Sequence, residues 1–155
     1  MWKINLPDLE ATIGLGRALG RLSRSGTMVA VRGDLGAGKT CFAQGVGAGL
    51  GISQPIVSPT FVLMAEYEDG RLPLLHADAY RLKPGEAAAI GFEEAVDMWP
   101  GVIVVEWAER VATALPTDRL QLELMHDGDG RTANVSATGP VHTQLLERWK
   151  ASVEA

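Results

Sequence analysis

Cysteine is almost missing from this chain: Cys41 stands alone among 155 residues, which excludes an internal disulfide. Three scattered histidines offer no zinc-binding spacing. Basic residues are outnumbered, 14 Lys and Arg against 19 Asp and Glu, and the net charge of −5 argues against a broad nucleic-acid-binding face. No apolar run approaches the ~20 residues of a membrane span. The opening stretch Met1-Trp2-Lys3-Ile4-Asn5-Leu6-Pro7-Asp8 lacks the charged-then-apolar pattern of an export signal. The expected location is therefore the cytoplasm, where the sequon Asn134-Val135-Ser136 carries no meaning. Repeats, low-complexity tracts and linkers are also absent. With 46% hydrophobic and 21% charged residues, the chain is expected to form one globular domain over residues 1–155.

What is present is a strong motif. Gly33-Asp34-Leu35-Gly36-Ala37-Gly38-Lys39-Thr40 fits G-x-x-x-x-G-K-[ST], a loop whose backbone N–H groups curl around phosphate oxygens. Lys39 in that pattern reaches the β- and γ-phosphates, and the Thr40 hydroxyl ligates Mg²⁺. Thr27-Met28-Val29-Ala30-Val31 reads as a buried strand entering the loop. Cys41 to Val46 reads as a helix leaving it, its positive end turned to the phosphates. The candidate nucleotide contacts are Asp34, Leu35, Gly36, Ala37, Gly38, Lys39, Thr40 and Cys41, with Arg131 reaching over from a distant hairpin.

Around the loop the periodicity predicts a helix over Leu9 to Leu22, with Leu15, Leu19 and Leu22 on one face. The loop's helix is expected to end in the glycine-rich stretch Gly45 to Gly51. Phe61 to Tyr67 and Leu72 to Asp78, joined through Asp69-Gly70, form a predicted hairpin. Pro84 to Val96 reads as a helix interrupted near Gly91. Val102-Ile103-Val104-Val105 has the continuous β-branched character of a strand buried on both faces. Leu120, Leu122 and Leu124 alternate with polar residues, and His126 to Gly130 turns that strand into Arg131 to Ala137. A short helix is expected at the end of the chain. Helices interleaved with strands predict a three-layer α/β fold, its mixed sheet having a parallel core and antiparallel hairpins. Ligands collect at the carboxyl ends of the central strands in such sheets.

Two carboxylates fall at that edge, Asp78 and Glu106, each ending an apolar run. Such a group either works with Mg²⁺ and the attacking water, or is a solvated strand terminus or one closing a salt bridge to Arg81 or Arg110. Glu106, following four buried residues, is the better metal-side group, and Asp78 then orients the water; the reverse assignment also fits. Ser58-Pro59-Thr60 reads either as a hydroxyl-bearing switch segment or as a plain turn. His76 reads as a packing residue. The catalytic candidates are Asp78, Glu106 and Lys39; the metal candidates are Thr40 and Glu106.

The order of these motifs resembles the TsaE family, formerly YjeE. It runs from Gly33–Thr40 through Ser58-Pro59-Thr60-Phe61, His76-Ala77-Asp78-Ala79-Tyr80-Arg81-Leu82 and Gly91-Phe92-Glu93-Glu94 to Val105-Glu106-Trp107. The likeness spans Leu6 to the Arg131 hairpin. It implies a P-loop NTPase-like domain that binds ATP and Mg²⁺ and hydrolyses ATP slowly alone. It further implies work beside TsaB and TsaD in making threonylcarbamoyladenosine in tRNA, the tRNA being held through that complex. By motif match Lys39 and Thr40 would serve phosphate and Mg²⁺, Glu106 would ligate Mg²⁺, Asp78 would support hydrolysis, and Trp107 would lie beside the nucleotide or a partner. The chain departs from the family where many members carry a second Thr after the loop and this one has Cys41, a weaker hydrogen-bonding group. Two other functions share the loop: a small-molecule kinase and a nucleotide-sensing switch without turnover. A GTPase is disfavoured, since no N-K-x-D segment is present.

Overall fold

The computed structural model describes residues 1–59, 63–83, 85–89 and 91–155. Their strands are β1 (Trp2–Leu6), β2 (Met28–Gly33), β3 (Met64–Tyr67), β4 (Leu74–Asp78), β5 (Val102–Glu106), β6 (Leu120–Asp127) and β7 (Gly130–Ala137). Between and after them come α1 (Leu9–Leu22), α2 (Lys39–Gly49), α3 (Glu86–Ala89), α4 (Phe92–Met98) and α5 (Pro140–Glu154), with two 3-10 turns at Ala108–Arg110 and Ala112–Ala114. One sheet of order β1-β7-β6-β2-β5-β4-β3 joins the strands. Its centre, β6-β2-β5-β4, is parallel, and the pairs β1–β7, β7–β6 and β4–β3 are antiparallel.

The parallel centre follows from composition. Every residue of Val102–Glu106 is buried, as are Met28 to Val31, because helices cover both faces there. Val29, Val31, Leu74 and Val104 pack under α1, α2 and α5. Met28, Ala30, Leu75 and Val105 pack beneath α4 and the 3-10 turns. The second helical layer stops at β2. Beyond it β6 buries Leu120, Leu122 and Leu124 on one face and leaves Gln121 and Glu123 half-buried on the other, as the alternation predicts. No helix among the described residues is long and apolar enough to cross a membrane.

Three details correct the sequence reading. β1 was not foreseen: five residues with Trp2 and Leu6 buried pair along β7 at the sheet edge. The terminal helix is not short but runs 15 residues, with His142, Leu145 and Trp149 buried on one face. Trp149 Nε1 donates to Leu15 O at 3.0 Å, and the ring meets Trp2 edge-on at 5.3 Å. The break at Gly91 is real, in a left-handed conformation (φ 71°), and it separates α3 from α4, which continues past Val96 to Met98. Pro84, the expected helix start, and Thr60, Phe61 and Val62 lie outside the described residues.

α2 ends inside the glycine-rich stretch as expected, at Gly49, so most of that stretch is helical. A Cβ on Gly45 would collide with Ile13 O of α1, and one on Gly16 of α1 with Phe42 O. Both helices are bare where they touch, so their backbones meet directly. This seats the start of α2, and with it the loop, against the rest of the fold. Gly45→Ala is expected to cost about 1–3 kcal/mol through overpacking. At about 2–4 °C per kcal/mol for this chain length, melting drops by roughly 2–12 °C. Gly14→Ala in α1, where nothing lies within 4 Å of the added carbon, is expected to leave melting unchanged or raise it. Equal melting temperatures for the two variants would contradict the direct helix contact.

Candidate functional site

β2, β4 and β5 end side by side at one edge of the sheet, and the loop after β2 closes over it. Gly36 and Gly38 adopt left-handed backbone conformations (φ 77° and 102°) that let the chain turn back into α2. Phe42 N makes the first helical bond, to Gly38 O at 2.9 Å. The amides before it in the first turn have no helical partner and supply donors and positive potential for an anion.

Lys39 lies beneath the loop, 5% exposed. Its Nζ donates to Gly33 O at 2.6 Å and Asp34 O at 2.8 Å, and stands 4.3 Å from the centre of the Trp107 ring. Burial pushes its pKa down, while the nearby carboxylates of Glu106, Glu109, Asp78 and Asp34 pull the other way. Thr40 Oγ1 lies 3.0 and 3.1 Å from the two oxygens of Glu106. One hydroxyl hydrogen serves only one of these at a time, so the pair presents spare oxygen lone pairs to a cation. Hard oxygen donors suit Mg²⁺, which takes one or two protein ligands and completes its shell with water and phosphate. Among the described residues no cluster of three or more His, Cys, Asp or Glu could hold a metal by itself.

Asp78 stands opposite Glu106 in the β4–β5 register. Its Oδ2 accepts from Ser58 Oγ at 2.8 Å and its Oδ1 from Tyr80 N at 2.9 Å, so both oxygens are oriented. Ser58 of the expected switch segment thus points at Asp78. Trp107, which follows Glu106, is one of two non-glycine residues with positive φ among those described (φ 56°); such a conformation costs about 1–3 kcal/mol. It brings the indole over Lys39 and against Tyr80, at 4.8 Å between ring centres, with Arg110 at 5.7 Å.

The β6–β7 hairpin reaches the loop from the other side. Arg131 donates to Gly36 O at 2.8 Å, and His126 Nε2 lies 3.2 Å from Leu35 O. Arg131, predicted to approach the nucleotide, holds the loop backbone here. Cys41 is a partly exposed free thiol beside Thr40 at the start of α2. Asp34 and Leu35 sit exposed on the loop's outer turn, and Ala37 is fully buried beneath it. A cavity of about 320 Å³ lies elsewhere, on the uncovered face of β2, β6 and β7. Of the charged residues lining it, Arg32 and Glu123 pair with each other, Nη2 to Oε2 at 2.8 Å.

The residue that sequence reasoning undervalued is His76. It is fully buried, but its Nε2 lies 2.5 Å from Glu106 Oε2. The signal was available: two residues before Asp78 on a strand, a side chain shares its face. His126 reads in the sequence only as part of a turn, and nothing there ties that turn to the loop.

The family model for threonylcarbamoyl adenosine biosynthesis protein TsaE matches residues 6–133. The chain is 48% identical over 114 residues to the tRNA threonylcarbamoyladenosine biosynthesis protein TsaE of Nostoc sp., covering 72% of this chain and 70% of that one. With the TsaE of Bacillus subtilis it shares 38% over 139 residues, 89% of this chain and 87% of the other. The crystal structure of YdiB from Bacillus subtilis superimposes with a TM-score of 0.84 at 32% identity, covering 97% of this chain and 94% of that one. A match of that extent, on a fold that sets a phosphate-type loop beside Glu106 and Asp78, makes this chain a member of the TsaE family.

Proposed function

We propose that the protein binds ATP with Mg²⁺ and hydrolyses it, in the cytoplasm, as the turnover subunit of the machinery that makes threonylcarbamoyladenosine in tRNA. TsaB and TsaD are the proposed partners, and tRNA is reached through them. The observation that carries the reading is the convergence of the Thr40 hydroxyl and the Glu106 carboxylate within 3.1 Å, directly beside Lys39.

In this reading the loop amides and Lys39 grip the phosphates, and Thr40 and Glu106 hold Mg²⁺. Bound Mg²⁺ supplies neutralisation of charge on the phosphate oxygens. Asp78, its carboxylate fixed by Ser58 and Tyr80 N, orients the attacking water. A carboxylate has about four lone-pair sites, so acceptor capacity remains for that water. Lys39 must give up the carbonyls of Gly33 and Asp34 to meet a triphosphate. That rearrangement, and the strained Trp107 beside it, offers partners a point at which to set the rate. The acidic balance of the chain agrees with tRNA being held by another subunit.

The test is phosphate release from ATP, with and without TsaB and TsaD. Slow release alone is expected to rise about tenfold or more with both partners, equivalent to about 1.4 kcal/mol off the barrier. An unchanged rate would remove the partner role. A phosphorylated metabolite in place of free phosphate would make the protein a kinase, and tight ATP binding with no turnover in any mixture would make it a switch.

A further inference from the structure

The buried ring of His76 has no part in the roles assigned so far. β4 and β5 run parallel with His76 beside Val104 and Asp78 beside Glu106. The imidazole leans forward by one residue pair to reach the Glu106 carboxylate. Both side chains are sealed from solvent, His76 at 0% and Glu106 at 2% exposure. A carboxylate that holds a cation is deprotonated and only accepts, so in that state the hydrogen of the 2.5 Å contact with Oε2 is donated by His76 Nε2. The other ring nitrogen, Nδ1, is buried with no hydrogen-bond partner among the described residues. Leaving that nitrogen bare is costly, and a ring that served only as filler would do better as an apolar side chain like Leu74, its neighbour on the same face. One nitrogen is used, and it is used on Glu106. Thr40 is the other side-chain donor to this carboxylate among the described residues, since Lys39 Nζ is bonded to Gly33 O and Asp34 O.

We propose that His76 is the positioning residue of the metal-side carboxylate. Its Nε2–H pins Oε2 of Glu106 and so presents Oε1, together with the Thr40 hydroxyl, as the edge that holds Mg²⁺. The proposal rests on the Mg²⁺-ATP reading above. Residues that orient a metal ligand from behind are worth about 10- to 100-fold in metal affinity, and His76 belongs in that range.

The test compares ATP affinity by titration calorimetry in Mg²⁺ and in EDTA. His76→Met removes the donor at similar bulk. It is expected to lose about 10- to 100-fold of the tightening that Mg²⁺ brings, while the affinity in EDTA stays near wild type. His76→Gln carries an amide nitrogen in the place of Nε2 and is expected to restore most of that tightening. His76→Asn is one bond too short and is expected to behave as Met does. Wild-type Mg²⁺ tightening in Met and Asn overturns the proposal, and so does a loss in Gln equal to that in Met, which would mean packing alone. Should the variants fail to fold, the wild type still decides. Its buried Nε2–H proton is expected to shift in NMR spectra on adding Mg²⁺-ADP but not ADP in EDTA, and an unmoved signal overturns the proposal. A wild type that binds ATP equally in Mg²⁺ and EDTA would instead bring down the underlying metal reading, and this inference with it.

Discussion

Lys39→Ala is expected to weaken ATP binding by roughly two to four orders of magnitude while leaving the fold intact. Lys39 is 5% exposed under the loop, and its ammonium already makes two charge-assisted hydrogen bonds, to Gly33 O and Asp34 O. A triphosphate exchanges these neutral acceptors for anionic ones. Two such bonds to charged groups are worth about 3–6 kcal/mol, and each 1.4 kcal/mol is about tenfold in affinity. Burial pushes the Lys39 pKa down and the surrounding carboxylates restore it in part; an arriving polyanion adds to that restoring side. The variant keeps the glycine conformations at Gly36 and Gly38, so the loop can still form. Calorimetric titration with ATP, alongside a melting curve, checks the prediction. Wild-type affinity in a folded Lys39→Ala protein would sink the assignment of this loop to phosphate.

Glu106→Gln is expected to separate binding from chemistry. The substitution preserves shape, and the amide oxygen can still accept from His76 Nε2 or Thr40, but the negative charge is gone. Mg²⁺-dependent hydrolysis should fall by about 10²-fold or more, since the metal's neutralising role depends on its being held beside the phosphates. ATP affinity in EDTA should hold or improve, because a like charge near the phosphates has been removed. Asp78→Asn is the companion variant. In the assignment preferred here it lowers hydrolysis and leaves the Mg²⁺ tightening of ATP unchanged. If Asp78→Asn abolishes the tightening and Glu106→Gln keeps it, the two carboxylates exchange roles, as their register opposite one another permits. Full Mg²⁺-dependent turnover in Glu106→Gln would refute the metal-side role outright.

Much of the scaffold was readable because its signals are local. The bounds of α1 coincide with the leucine periodicity, and Asp8 caps it by accepting from Ala11 N at 2.8 Å. The Asp69-Gly70 and Gly128-Asp129 turns close the β3–β4 and β6–β7 hairpins where expected. The β-branched run at Val102 marks a fully buried central strand and ends at Glu106. Other features were unreadable because their cause lies far along the chain. β1 gains its pairing from a strand about 130 residues away. α5 owes its length to a Trp that reaches Leu15 O and to His142, whose Nε2 accepts from Met28 N at 2.9 Å while Asp118 Oδ1 lies 2.8 Å from Nδ1.

The amino-acid order alone determined the loop and its candidate chemistry-bearing neighbours only as a set: a glycine turn, one ammonium, one hydroxyl and two carboxylates at strand ends. These are short-range facts, since motif spacing and side-chain period are properties of a few consecutive residues. Which of those groups meet was decided by the tertiary structure. Parallel pairing of β4 with β5 set Asp78 opposite Glu106, and bare glycine contacts between α1 and α2 seated the loop. The same pairing turned a histidine that looked like filler into the donor behind a carboxylate. Such contacts depend on strand register and helix approach, quantities that arise only when distant segments pack together.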